Sequence, residues 1–295
     1  MNTNKTKFDD YIGEEVRKYK GVYRPLRAGV LRRVFVRKLA CKRIHPNPDD
    51  EFCDPKIGPN YDIVSQYSEE IRAARLKENN PLLFKERIIV ERIHPDGYML
   101  LNGHHRWAAA MRMGLPKIRA KVVNLTHVSD IQEMLRNAKH DKRVTLDLDE
   151  VVFVSKPDEE AEKPLSFPFS KLYKERLRRG IPALFHYLKR EGYDIWVYSA
   201  SYYSMDHIRR YFGLYRAWVD GVVTGMGRKS RELADQRKNL EALMAKKYPQ
   251  TIHIDNGSLL LINSQTRDYE EFALSGNPGT WSQEIMEIIG AFDKP

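Results

Sequence analysis

The second half of the chain carries a pattern that leaves few folds open. From residue 143 onward, short apolar runs alternate with amphipathic stretches: "RVTLDLD", "GIPALFHYLKREG", "DIWVYSAS", "MDHIRRYFG", "AWVDGVVTG", "KNLEALMAKKYP" and "TIHIDNG". Strand, helix and strand in turn is the rhythm of βαβ units on a parallel sheet. Such sheets place their sites at the carboxyl ends of the strands. The polar residues of this half gather there: Asp147 and Asp149, Ser199, and Asp255 with Asn256. The expected architecture for residues 143–295 is a Rossmann-like parallel-sheet domain.

The segment "RVTLDLDEVVF" (143–153) delivers two carboxylates to one strand tip. Together they need a cation, and oxygen ligands of this kind suit Mg²⁺. An aspartate held against a metal is ionised and can act as a nucleophile, while a second one nearby keeps a proton for a leaving group. Phosphoryl transfer further requires a small hydroxyl and a cation to hold the remaining phosphate oxygens. Ser199 and a lysine supply these.

In order, "DLDEVV", "VYSAS", a helical lysine and "HIDNGS" resemble the four motifs of the haloacid dehalogenase superfamily of phosphatases. The nearest likeness is to the small, capless branch of the C-terminal-domain phosphatases, over about residues 141–275. The resemblance implies that Asp147 is the nucleophile of an aspartyl-phosphate and Asp149 a general acid, then base. It implies that Ser199 hydrogen-bonds the phosphoryl group and Lys238 neutralises it. Asp147, Asp149, Asp255 and Asn256 would form the metal set. Lys229, in "GMGRKS", is a rival for the lysine. Val151 departs from the branch, where Thr is common. The helix "GIPALFHYLKREG" leaves no room for a large cap before Gly192, which implies an open site.

The first half reads as a compact α+β unit. "RIIVERI" and "GYMLLNG" flank "HPDG" and predict a β-hairpin. "HHRWAAAMRMG" predicts a helix ending at Gly114, and "IRAKVVNL" a strand. Upstream, "SEEIRAARLKENN" (68–80) predicts a helix capped by Ser68. Downstream, "SDIQEMLRNAKHDK" (129–142) predicts a connecting helix with a capping box from Ser129 to Gln132.

Between hairpin and helix stands Gly103-His104-His105-Arg106. Glycine permits a tight turn, and the following helix N-terminus offers N–H groups to an anion. Two histidines and an arginine add donors that fit phosphate oxygens. With "RIHPNPDD" before it, the segment 39–125 resembles the ParB/sulfiredoxin fold. In partition proteins of that fold the turn reads G-E-R-R and binds the phosphates of CTP. In sulfiredoxin it reads G-C-H-R, and His104 here replaces the reactive cysteine. "NGHHR" is most similar to the free-serine kinase branch, whose G-H-H-R turn cradles nucleotide phosphates beside an acidic base. The resemblance implies ATP or another nucleotide as cofactor. Asp50 and Glu51 are the candidate bases, with Asp49 a further one in "PNPDDEF".

Charge adds one expectation. Of a net +10, residues 1–43 hold +9, thirteen Lys/Arg against four Asp/Glu. A basic arm over 1–38 could therefore meet the phosphates of DNA or RNA. Two cysteines without a CxxC argue against a disulfide framework and a zinc cluster. No leader-like apolar segment and no membrane-length apolar run is seen, so the expectation is a cytoplasmic protein with no membrane partner. The expected organisation is an arm (1–38), a ParB/sulfiredoxin-like nucleotide-binding domain (39–128), a linker helix (129–142) and a phosphatase domain (143–295). Together these predict a kinase and a phosphatase in one chain, acting on a phosphorylated substrate such as a nucleic-acid end or a small hydroxyl compound. The alternative is a nucleotide-gated DNA-binding regulator with a phosphatase-like docking domain.

Overall fold

A computed structural model describes residues 7–36, 38–76, 86–155, 160–225 and 231–292. The chain divides into two compact units, one over Met1–Asn124 and the other over Leu125–Arg228 with Glu232–Pro295.

In the first unit, β1 (Arg24–Pro25), β2 (Lys38–Ala40), β3 (Ile44–His45), β4 (Ile88–His94), β5 (Tyr98–Asn102) and β6 (Lys117–Val123) form one mixed sheet. Its order is β2-β6-β4-β5-β3, with β1 paired to β4. The β4–β5 hairpin forms over "HPDG" as predicted, antiparallel from Arg92 opposite Tyr98. Period-two alternation sets the faces: in β6, Ile118, Ala120 and Val122 point into the core while Lys117, Arg119 and Lys121 do not. Against that face pack α3 (Tyr61–Leu76), through Val64 and Ile71, and α4 (His104–Arg112), through Trp107 and Ala108 to Ala110.

Helix α3 begins seven residues earlier than its expected start at Ser68. Asn60 is the cap, its Oδ1 accepting the N–H groups of Asp62 and Ile63 at 3.1 and 3.2 Å. Ser68 is mid-helix and donates to the Val64 carbonyl, the back-bond expected of a buried helical serine. Residues 77–80 of the predicted helix lie outside the described residues.

The expected basic arm is folded onto this unit. Helix α1 (Lys7–Tyr19) buries Ile12 and Tyr19, and α2 (Val30–Phe35) follows it. His45 anchors α1, with Nδ1 2.6 Å from Glu15 and Nε2 3.1 Å from the Tyr19 hydroxyl, which also donates to Asp96 at 2.9 Å. Arg17, Lys18, Lys20, Arg24, Arg27 and Arg32 of the segment remain exposed.

The second unit opens with α5 (Val128–Arg136). Its N-cap is His127, whose N–H donates to Asp130 at 2.7 Å, so the cap sits two residues before the expected Ser129. This helix is packed rather than free-standing, since Met134 lies buried with Trp196, Val223, Met244 and Tyr248. The sheet comprises β7 (Lys142–Asp147), β8 (Tyr193–Ser199), β9 (Gly221–Thr224), β10 (Gln250–Ile254), β11 (Ser258–Asn263) and β12 (Tyr269–Ala273). Its order is β12-β11-β10-β7-β8-β9, with β10, β7, β8 and β9 parallel and the last two strands in sequence antiparallel.

Both faces of the parallel core are covered, which is why β8 is buried almost throughout. One face carries Val144, Leu146, Ile195 and Val197 against α7 (Ile181–Arg190), α8 (Met205–Leu214) and α10 (Trp281–Phe292). The other packs Trp196 and Val223 against α5 and α9 (Arg231–Lys247). Between β7 and α7 the chain makes an excursion holding α6 (Phe169–Leu172), closed by a bridge between Phe153 and Leu177. Among the described residues no helix is long and apolar enough to cross a membrane.

Candidate functional site

In the first unit, Gly103 caps α4 with φ 94° and ψ 31°, a left-handed conformation. A Cβ there would lie 2.7 Å from Ile88 Cγ2 and 3.1 Å from Arg106 Nη2, so space and torsion both demand glycine. His104 is the first helical residue and is buried. Its Nε2 receives the Asn47 N–H at 3.4 Å, leaving the proton of the neutral ring on Nδ1, which faces Asp50 Oδ2 at 3.6 Å. Burial pushes the imidazole down to about 4; Asp50 opposes this and His105 adds to it. At neutral pH the His104 ring is thus neutral.

His105 accepts the Asn60 N–H at 3.1 Å, and burial lowers its pKa as well. The Phe52 ring lies 5.3 Å from His104 and 5.2 Å from His105, walling both. Asp50 is itself fixed, with Oδ1 accepting the Phe52 N–H at 3.0 Å. The candidate base Asp50 is therefore beside the Gly103 turn. Glu51 is exposed, and Asp49 belongs to a turn in which its N–H donates to Asn47.

Arg106 is more engaged than a bare phosphate ligand. Its guanidinium bonds Asn102 at 3.2 Å and the Arg87 carbonyl at 3.5 Å, and pairs with Glu86 at 3.3 Å. Glu86 is 81% exposed and is the member of this set that an incoming anion would displace. Both thiols are buried; the pKa of Cys41 is pushed up to about 11 and that of Cys53 higher still, so neither is a ready nucleophile at neutral pH.

In the second unit the parallel register sets Leu146 beside Ile254 and Asp147 beside Tyr198. Asp147, Ser199 and Asp255 thus fall at the carboxyl ends of neighbouring strands. The Asp147 carboxylate caps the turn Leu148–Val152, its Oδ1 accepting the N–H groups of Asp149 and Glu150 at 2.7 and 2.9 Å. That fixes the carboxylate before any ligand arrives. The Ser199 hydroxyl donates to Asp149 Oδ2 at 2.6 Å and accepts the Ser201 N–H at 2.9 Å. Fully buried, Ser199 holds the second aspartate.

Asn256 closes the group: its Nδ2 donates to the Glu150 carbonyl at 2.9 Å and its Oδ1 accepts from Arg178. Asp255 accepts the Asn256 N–H at 2.7 Å and is exposed. Tyr203 borders the turn; burial, then Asp149 and Glu175, push its phenol up to about 12. Lys238 lies on α9 but its side chain is outside what is described, as is Lys229 altogether.

Among the described residues no three His, Cys, Asp or Glu side chains gather in a set that could hold a metal. The expected set of Asp147, Asp149, Asp255 and Asn256 is therefore not gathered as a metal cluster among the described residues. All of its donors are oxygens, the ligand type that Mg²⁺ takes.

Sequence alone missed several members. Asn47 and Asn60 carry no motif, although Asn60 is a recognisable cap before an apolar-periodic run. Phe52 follows the expected acidic residues. Arg178 precedes a helix and gave no signal.

Residues 84–138 match the ParB N-terminal domain family, a span that takes in β4, β5, α4, β6 and α5. Among solved structures, the chain is similar to the C-terminally truncated chromosome-partitioning protein ParB from Caulobacter crescentus, complexed with CTP-gamma-S. The identity is 24% and the TM-score 0.24, over 34% of this chain and 51% of that one. The match thus spans about half the length of that solved protein. No curated protein matches the chain. Residues 84–138 therefore form a ParB-like segment within a two-sheet α/β chain.

Proposed function

We propose that this chain is a bifunctional phosphotransfer enzyme, with a nucleotide-dependent kinase site in the first unit and a phosphatase site in the second. The observation that carries the phosphatase reading is the pre-set aspartate turn: Asp147 held by two backbone N–H groups and Asp149 held by Ser199, at adjacent strand ends. In this reading an Asp147 oxygen attacks phosphorus and the bond to the leaving alcohol breaks, with Asp149 supplying the proton the alcohol gains. Water then cleaves the aspartyl-phosphate while Asp149 takes its proton back. On the resemblance, Asp147, Asp149, Asp255 and Asn256 would hold Mg²⁺, which would supply charge neutralisation for the phosphoryl oxygens. Lys238 is assigned the remaining oxygens on resemblance alone.

In the first unit the Gly103–Arg106 turn is the phosphate cradle for ATP or another nucleotide, and Asp50 is the base. Supporting this are the left-handed Gly103, the helix N-terminus behind it, and the neutral His104 donor 3.6 Å from Asp50. The exposed cations of residues 17–32 favour DNA or RNA as a partner of the first unit. A second reading, a nucleotide-gated DNA-binding regulator, is compatible with the ParB family match.

Hydrolysis of 4-nitrophenyl phosphate with Mg²⁺, compared between the native chain, Asp147→Asn and an EDTA-treated sample, tests the phosphatase. Turnover lost in both controls supports it, and absence of turnover of this and every other phosphomonoester by folded protein refutes it. ADP or AMP release from ATP with candidate acceptors separates the kinase from the regulator, which would bind nucleotide without turnover.

A further inference from the structure

A cavity of about 340 Å³ opens beside the aspartate turn, lined by Val154, Glu160, Arg178, Asn256, Gly257 and Trp281 among others. Its size is at the small end of small-molecule sites and does not admit a polymer. Asn256 belongs both to this wall and to the aspartate turn, through its bond to the Glu150 carbonyl. The cavity and the aspartate turn thus share a residue.

Arg178 gives the cavity its chemistry. Its backbone N–H donates to the Val152 carbonyl at 2.9 Å, placing it against the end of the aspartate turn. The guanidinium stacks 4.7 Å over the buried Trp281 ring and donates through Nη2 to Asn256. A guanidinium so oriented is a planar fork suited to a carboxylate or phosphate. The one carboxylate in the wall, Glu160, is engaged by Arg179 at 2.7 Å, so the wall as a whole does not repel an anion.

We propose that this cavity is the leaving-group subsite of the phosphatase, and that it selects small phosphomonoesters bearing a second anionic group, which Arg178 binds. The proposal rests on the phosphatase reading. It narrows the substrate class to a compact dianionic or bisphosphorylated alcohol.

Ethyl phosphate and phosphoglycolate test it, since they differ by a methyl group against a carboxylate; ethylene glycol bisphosphate offers phosphate as the second anion. On the full chain with Mg²⁺, kcat/KM for phosphoglycolate or the bisphosphate is expected to exceed that for ethyl phosphate by about 10- to 100-fold, the range of a hydrogen bond to a charged group. Which of the two is preferred assigns the second anion. In Arg178→Lys, which keeps the charge but not the fork, that preference should shrink at least ~5-fold. Equal rates in the native chain, or an equal fall for all esters in the variant, overturn the subsite.

If no phosphomonoester is turned over at all, the phosphatase reading fails separately. Calorimetric titration of the three esters into Asp147→Asn, with and without Arg178→Lys, then decides. Anion-dependent binding lost with the arginine sustains the cavity as a binding site, and its absence refutes the proposal.

Discussion

Acidification should loosen the first unit through His104. The unfolded chain protonates this ring near pH 6.5, whereas the folded unit holds out to about 4 because the ring is buried. The unfolded state therefore binds more protons across that interval, so stability is present above pH 6.5 and is lost as pH falls toward 4. Between pH 7 and pH 5 the loss from this group is ~2 kcal/mol. With an m-value of about 2 kcal/mol/M it appears as a fall of roughly 1 M in the urea midpoint. Trp107 is the tryptophan of the first unit, the others being Trp196, Trp218 and Trp281 in the second. Fluorotryptophan labelling with ¹⁹F NMR therefore follows the first unit alone. Other titrating groups contribute to the same curve, so the informative quantity is the difference from His104→Gln, which keeps a polar side chain and cannot protonate. The variant should lack the ~2 kcal/mol component. Parallel midpoints for both proteins from pH 7 to pH 5, or a His104 ring resonance titrating near 6.5, would refute the reasoning.

Three further outcomes follow from particular contacts. Gly103→Ala must place a Cβ 2.7 Å from Ile88 at a left-handed φ, and should cost about 2–4 kcal/mol in the same urea assay. Ser199→Ala removes the 2.6 Å bond to Asp149 from a fully buried position, and should lower second-unit stability by about 1.5–3 kcal/mol, read by thermal unfolding, together with the aryl phosphatase rate. Asn60→Ala uncaps α3 and should destabilise the first unit by about 1 kcal/mol, with hydrogen exchange accelerating first at Asp62 and Ile63.

Periodicity and turn chemistry made most of the elements legible. The hairpin over "HPDG", the helix after Gly103 and the parallel strands from β7 to β10 all announce themselves through patterns of two or of 3.6 residues. The position of Asp147 and Asp255 at strand ends was legible from the same alternation of strands and helices. What was not legible depends on long-range register. Arg178 meets Asn256 across 78 residues, and Asn256 meets Glu150 across 106, and no local pattern encodes either meeting. The capping errors have a different cause. Ser68 and Ser129 are good cap residues by type, but Asn60 and His127 stand before apolar residues the tertiary core requires, and packing decides which turn becomes the first. The packing of α1 was hidden by its charge: Ile12 and Tyr19 bury between lysines and arginines that stay outside.

The place of β10 in its sheet governs when the aspartate turn can exist. This strand is synthesised late yet inserts between β7 and β11, and the Thr145 hydroxyl finds the Ile252 carbonyl across 107 residues. Until it docks, β7 is an open edge, with unpaired backbone groups beside Asp147. Closing so long a loop makes this a slow step in folding, reached after the local α7–β8 pieces have formed. A nascent or truncated chain ending before Gln250 would present the aspartates on an unprotected strand, prone to pairing with another chain and lacking Asn256 to hold the turn.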